Sequence, residues 1–202
     1  MTAAHAAIPI PPPKKAKREE VLAVAAIQGI FCNGDSNSPK VSGNTIEKRW
    51  LMIQRSNSGL LAGQWEFPST CLWVSEKNAK QEKKTKNKKN KMSEDGLVAL
   101  IDERERQKSL THFLRQLEND DHPYKLSEVQ RKSAGGRERP LQHIFSHIRH
   151  TMYVETGETI ILDFDGPMQW ISSDGRVLQW MSSADFDRVG ITSGVKKILN
   201  LL

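Results

Sequence analysis

"RWLMIQRSNSGLLAGQWEFPS", Arg49–Ser69, changes character twice within one short stretch. "RWLMIQRS" is apolar at its centre and reads as a strand. "NSGLLAGQ" is the turn after it, where Gly59 and Gly63 are free to take the positive φ that a tight corner demands. "WEFPS" resumes as extended chain and is stopped by Pro68. The corner could wall a small-molecule pocket or simply close a core. Its lone acid, Glu66, has no neighbouring carboxylate in the sequence, so a catalytic pair is not indicated.

Toward the N-terminus, "VLAVAAIQGIF" (Val21–Phe31) is nearly continuously apolar and bounded by polar, glycine-bearing sequence, which favours a buried strand over a short helix. "CNGDSNSPKVSGNT" supplies the following loop. Residues 1–20 are Ala/Pro-rich and then basic, and Pro11, Pro12 and Pro13 favour extended polyproline geometry. They read as a Pro/Lys-rich interdomain linker, so the domain is expected over residues 21–202.

On the other side, residues 77–91, "KNAKQEKKTKNKKNK", hold eight Lys and one Glu, a net +7. The whole chain is +6, so everything else amounts to −1 and the basic pI of 9.3 comes from one tract. A disordered insertion at about 76–95 is expected, because like charges without apolar residues cannot collapse. Such a tract is ordinarily a solvated loop; nuclear targeting or salt-sensitive phosphate contact are the alternatives.

Beyond it, Leu97, Leu100 and Ile101 and then Leu110, Phe113, Leu114 and Leu117 recur at helical spacing. Gly135 and Gly136 break the chain, and strand-like segments follow at Leu141–Glu155, Thr159–Phe164 and Val177–Met181. "SGVKKILNLL" closes as a helix with Thr192 or Ser193 as N-cap. This mixture argues for an α+β fold, and 202 residues suit one core. No apolar run approaches the roughly 18 residues of a membrane span, and no secretory signal opens the chain. Cys32 and Cys71 form neither a disulfide framework nor a thiolate metal site, which fits a soluble protein of a reducing compartment.

"LQHIFSHIRHTMYVE", Leu141–Glu155, is a strand or hairpin. Alternation puts Ile144, Ser146, Ile148, Met152 and Val154 on one face and His143, Phe145, His147 and Arg149 on the other. A serine thus falls in apolar parity. Either it bonds nearby backbone, or the strand breaks at Phe145-Ser146-His147 and presents the hydroxyl to a ligand. On a strand His143 and His147 share a face while His150 points away, so no zinc site is expected. Arg131, Lys132, Arg137, Arg139 and Arg149 concentrate positive charge here, as a phosphate-facing patch or a solvated surface.

With "WLMIQRSNSGLLAGQWEFPS", "HIFSHIRHTMYVE" and "WMSSADFDRVGITSGVKKIL" in this order, the chain resembles the C-terminal domain of MutY-type adenine DNA glycosylases from Val21 to Leu202, apart from the Lys/Asn insertion. The resemblance implies a Nudix-like mixed β-sheet with flanking helices that reads 8-oxoguanine opposite a mispaired adenine. The family's lesion-recognition loop falls on Phe145, Ser146 and His147, the serine bonding the oxidised base's edge. 8-Oxoguanine carries an added O8 acceptor and an N7–H donor, and a hydroxyl can match both. An unmatched buried polar atom would cost about 1–3 kcal/mol, enough for discrimination. DNA contacts are expected at Gly59, Gly63, Arg139, Arg149, Ser193, Lys196 and Lys197.

Two departures limit what the resemblance carries. Nudix hydrolases bind Mg²⁺ through a helix bearing R-E-x-x-E-E, whereas "ERERQKSLTHFLRQLEN" lacks that cluster. The family's glycosylase half, with its helix-hairpin-helix, catalytic Glu and Asp and 4Fe–4S cluster, has no counterpart, and two cysteines cannot supply four thiolates. The expectation is therefore a base-excision-repair module that binds without cutting, with no catalytic residue, metal or cofactor in this chain. Its partners would be double-stranded DNA containing 8-oxoguanine opposite adenine and a glycosylase catalytic domain in cis or trans. A monomer without membrane contact is expected, in the nucleus, with mitochondria as the alternative. Rival readings are a standalone Nudix-type nucleotide pyrophosphohydrolase and a repair adaptor built on the Pro- and Lys-rich segments. "KILNLL" lacks the Q-x-x-L-x-x-F-F sliding-clamp pattern, so no clamp contact is expected there.

Overall fold

The structure is a computed structural model that describes residues 18–33, 45–59, 61–75, 101–118, 125–134, 140–145, 148–162 and 166–202. Residues 1–17, the Lys/Asn tract, Leu97, Leu100, Gly135, Gly136, Arg137, Arg139, Ser146, His147 and Phe164 lie outside the described residues.

The strands are β1 (Arg18–Asn33), β2 (Thr45–Gln54), β3 (Trp65–Glu66), β4 (Ser69–Val74), β5 (Arg131–Ser133), β6 (Leu141–Ile144), β7 (Ile148–Leu162), β8 (Gln169–Ile171) and β9 (Val177–Met181). The helices are α1 (Glu103–Leu117) and α2 (Ser193–Leu199). All the strands join one sheet with the order β5-β7-β1-β2-β9-β8; β3 pairs with β2, β4 with β1 and β6 with β7. The β1/β7 pair is parallel and the others are antiparallel, so the sheet is mixed and the fold is α+β as expected.

Two long strands share their edges between shorter ones. On β1, the stretch Glu20–Val24 pairs with β4 and Gln28–Asn33 with β2. On β7, Arg149–Met152 pairs with β6 and Glu155–Gly157 with β5. Each long strand therefore serves two lobes of the sheet.

Both sheet faces are covered, which is why β1 reads as almost unbroken apolar sequence. Ala23, Ala25, Ile27 and Phe31 join Leu110, Phe113, Leu114 and Leu117 of α1 in one core cluster, with Leu51, Leu178 and Trp180. Val24, Ala26, Met52, Met152, Val154 and Met181 join Val195 and Ile198 of α2 in the other. The i, i+3, i+4 spacing on α1 thus buries one stripe, as expected. The helix begins only at Glu103, after Asp102 in extended geometry (ψ 149°), so Ile101 precedes it rather than forming its first apolar position.

Several boundaries differ from the sequence reading. β1 starts at Arg18, so Arg18–Glu20 belong to the sheet and not to a linker. Thr159 does not open a separate strand: β7 runs unbroken from Ile148 to Leu162 through Gly157. A Cβ on Gly157 would lie 2.7 Å from the Gln130 carbonyl oxygen, so glycine lets the chain before β5 cross over β7. The short strands β5 and β8 carry no apolar period of their own and were not legible. Val177–Met181 is a strand, as expected. α2 also forms as expected, capped by Thr192, whose hydroxyl accepts the Val195 amide at 3.4 Å.

Candidate functional site

The segment Leu141–Glu155 is a hairpin. β6 ends at Ile144, β7 begins at Ile148, and the Phe145 amide donates to the Ile148 carbonyl at 2.8 Å, tying the two strand ends together. The register pairs Leu141 with Met152, Gln142 with Thr151, His143 with His150 and Ile144 with Arg149. Directly opposite residues point to one side of a sheet, so His143 and His150 share a face, contrary to the alternation expected of one continuous strand. For the same reason Ile144 lies on the outer side, 51% exposed, while His143 is buried. An interruption of the strand resets its parity.

Phe145 stands edge-on to both imidazoles, at 4.4 Å from the His143 ring centre and 5.0 Å from that of His150. His150 Nε2 lies 3.0 Å from Glu20 Oε2, and Glu20 also pairs with Arg18. His143 Nε2 lies 3.1 Å from Ser193 Oγ, and Lys197 Nζ donates to the Gln142 carbonyl at 3.2 Å. These two contacts fasten α2 to the hairpin. Burial pushes both histidines below the usual imidazole range; Lys197 and His150 reinforce this for His143, while Glu20 opposes it for His150.

The glycine corner meets the same place. Gly59 and Gly63 have φ of +91° and +71°, as the turn reading requires, and Leu61 joins them at +59°, a conformation that leucine seldom adopts. The Gly63 amide donates to the Ser56 carbonyl at 3.1 Å, and Gln54 Nε2 to the Gly63 carbonyl at 3.1 Å. Trp65 then bonds in both directions to the segment before α2: its amide donates to Gly190 at 2.8 Å and its carbonyl accepts from Thr192 at 3.1 Å. Corner and helix are thereby held side by side.

Between these elements lies a cavity of about 260 Å³. Leu61 from the corner, His143, Phe145, Ile148 and His150 from the hairpin, Thr192 at the N-cap of α2, and Gly194, Val195 and Ile198 from α2 line it together with Leu22, Val24 and Met152. Arg18, Glu20, Arg55, Glu66, Phe67, Ser69 and Cys71 complete the wall. The three stretches singled out in the sequence therefore converge on one cavity, and the corner both walls a pocket and closes a core. Glu66, solitary in sequence, shares this cavity with Glu20. It pairs with Arg55 at 2.7 Å, yet burial raises its carboxyl above the usual range. Glu20, Arg18 and Cys71 were not anticipated; a glutamate at the head of an apolar strand was the only sign of them.

Of the expected DNA contacts, Gly59, Ser193, Lys196 and Lys197 are exposed, and Arg149 is exposed while lying 3.3 Å from Glu19. Gly63 is half-buried in its turn, and Arg139 lies outside the described residues. Of the lesion-recognition residues, Phe145 lines the cavity, while Ser146 and His147 lie outside the described residues. Arg131 does not join a phosphate-facing patch. Its guanidinium bonds Glu155 at 3.2 Å, Thr111 Oγ1 at 2.6 Å and the Val129 carbonyl at 3.1 Å, with both ionic side chains 5% exposed. Among the described residues no three His, Cys, Asp or Glu side chains converge on a metal-sized site.

A family model for the NUDIX domain matches residues 44–201. No curated protein matches the chain. Among solved structures, the C-terminal domain of mouse MUTYH in its complex with human PCNA is similar at 19% identity and a TM-score of 0.48, over 90% of this chain and 86% of that one. The NUDIX domain of Shewanella oneidensis NrtR, complexed with ADP ribose, is similar at 11% identity and a TM-score of 0.46, over 95% and 90% of the two chains. RenU, a Nudix hydrolase from M. smegmatis, is similar at 10% identity and a TM-score of 0.37, over 89% and 83%.

Proposed function

Because the chain belongs to the NUDIX domain family, we propose that it uses that fold to recognise 8-oxoguanine opposite adenine in duplex DNA, as the C-terminal part of a MutY-type adenine DNA glycosylase system of base excision repair. The observation that carries this reading is the convergence of the glycine corner, the Phe145 hairpin and α2 on one cavity, since these are the three stretches that resemble that family. In this reading Ser146, between Phe145 and Ile148 in sequence, bonds the oxidised edge, and Phe145 and His147 flank it. Arg149, Ser193, Lys196 and Lys197 hold the phosphates, which fixes register without reading sequence. Excision belongs to a catalytic domain in cis or trans, and the site of action is the nucleus.

The test is fluorescence anisotropy at fixed salt, with duplexes carrying 8-oxoguanine or guanine opposite adenine. Ser146→Ala should lower affinity for the oxidised duplex about tenfold or more, the loss of one buried hydrogen bond, and leave the guanine duplex nearly unchanged. Equal losses on both duplexes would sink the assignment.

A second reading, pyrophosphate hydrolysis on a nucleotide, follows from the family alone. The acids in the first turn of α1, Glu103 and Glu105, are exposed, and "ERERQKSLTHFLRQLEN" lacks the R-E-x-x-E-E set. Mg²⁺-dependent release of pyrophosphate or monophosphate from an oxidised nucleotide would favour it over the first.

A further inference from the structure

At one end the sheet outlasts its cover. β1 has 16 residues, about 50 Å of extended chain, whereas the seven residues of α2 span only about 10 Å. On the α2 side β1 is buried at Val24 and Ala26 but only half-buried at Gln28, Ile30 and Cys32. On the α1 side Phe31 and its β7 partner Ile161 stay in the core. Neighbouring strands do not close this end, since β9 reaches β2 only at Trp50–Ile53 and β5 reaches β7 only at Glu155–Gly157. One face here is core and the other is bare.

A sheet packed on one side ordinarily turns polar residues to water on the other. This end does the reverse. The register sets Ile160 of β7 beside Ile30, Leu162 beside Cys32, and Ile46 of β2 opposite Cys32. Paired residues share a face, so these five side chains form one apolar patch across three strands. Only Lys48, opposite Ile30, interrupts it. Ile46, Ile160 and Leu162 are 64%, 67% and 70% exposed. Single exposed aliphatics are ordinary, but a contiguous group of them marks an interaction site.

We propose that this patch docks one amphipathic helix of a partner protein, lying along β1. Three strands spaced about 4.8 Å apart present a face about 10 Å wide, which is the diameter of a helix. Such a helix offers apolar anchors at i, i+3, i+4 and i+7, a stripe that the patch can cover. A second copy of the chain fits less well, because the five side chains of the patch fall far short of the roughly 20–30 residues a side of a stable interface. Charge sets the direction of the helix. Lys48 borders the patch on β2 and Glu158, beside Gln28, borders it on β7; both are exposed, and neither joins an ion pair among the described residues. The docked helix carries acids on the flank over β2 and bases on the flank over β7. Val24 lines the cavity, and Cys32 lies about 26 Å further along β1, so the inference is independent of duplex recognition.

The experiment titrates the full chain with a labelled helical peptide of about 15 residues. It bears Leu at i, i+3, i+4 and i+7, Glu along one flank and Lys along the other, and a scrambled peptide of the same composition is the control. Zero net charge keeps both from the Lys/Asn tract. Anisotropy should show saturable binding of the helical peptide alone, with amide shifts centred on Ile46, Ile160 and Leu162. Ile160→Ser with Leu162→Ser changes exposed positions and spares the core; it should weaken the peptide about tenfold or more and leave duplex binding as in wild type. Lys48→Glu should pass the preference to a peptide with Lys on both flanks. Absence of saturable binding, shifts centred elsewhere, or unchanged affinity in the double variant would each overturn the proposal. A dimer in sedimentation that Leu162→Ser dissolves would overturn it in favour of a second copy. Shifts at residues 34–44 in the Leu162→Ser chain without peptide would overturn it in favour of the chain's own β1–β2 connection.

Discussion

His143 and His150 are direct cross-strand partners, and the Phe145 ring sits edge-on against both. Two imidazoles so placed can pack while neutral but repel when both are protonated. Lys197 and Ser193 face them from α2, Glu20 and Arg18 from β1, and Arg55 from the end of β2. Their folded-state pKa values lie below 6.5, so between those values and 6.5 the unfolded chain binds more protons than the folded one. Stability should therefore fall as pH drops below about 6.5, the ordinary imidazole value, and level off above it. Glu66 and Glu155, raised above 4.5, act in the opposite sense just above that pH. The difference between wild type and His143→Phe isolates the histidines. Urea unfolding at pH 5 to 7.5 should show a flatter profile for the variant, and parallel profiles would refute the assignment.

Removing the charge of Arg131 should test stability rather than DNA contact. Arg131→Met leaves Glu155 buried without its cation, a change that typically destabilises by about 3–5 kcal/mol. Arg131→Met with Glu155→Leu should recover much of that loss, because the desolvated charge goes too. Duplex selectivity of any folded variant should match wild type in the anisotropy assay.

Gly157→Ala places a methyl 2.7 Å from the Gln130 carbonyl oxygen and 2.8 Å from Val129 Cγ1. Backbone on one side and a β-branched side chain on the other have little room to yield. Overpacking of this kind costs about 1–3 kcal/mol. A thermal midpoint unchanged from wild type would show that the crossing chain moves freely.

Lys196→Gln and Lys197→Gln test the phosphate face of the proposed interface. Each should weaken oxidised and undamaged duplexes alike and lower the salt slope of binding by about one. A change in discrimination between duplexes, or no change in slope, would move the interface elsewhere.

Leu114 is fully buried between α1 and the sheet. Leu114→Ala should cost about 2–5 kcal/mol, read from the urea midpoint at unchanged slope. A smaller loss would mean that α1 is not integral to the core.

The elements that were legible in the sequence are those whose apolar pattern is long or flanked by special residues. Val21–Phe31 is apolar on both faces because β1 is central, and the α1 stripe survives because a single face is buried. Gly59 and Gly63 announced a positive-φ corner, and Thr192 a helix cap. Parity along Leu141–Glu155 misled because it presumes an unbroken strand, whereas the chain reverses between Phe145 and Ile148. Arg131 misled because its charge suggested solvent, while its ionic partner lies 24 residues away in sequence.

The sequence by itself thus determined the long apolar strand β1, the buried stripe of α1, the cap of α2 and where the corner turns. Local preference and periodicity act over a few residues, and those features are local. Only the tertiary structure decided that Leu61, Phe145 and Thr192 line one cavity, that Glu20 reaches His150, and that His143 is left with an unpartnered nitrogen. These depend on strand register and helix docking, where side chains distant in sequence compete for the same buried space.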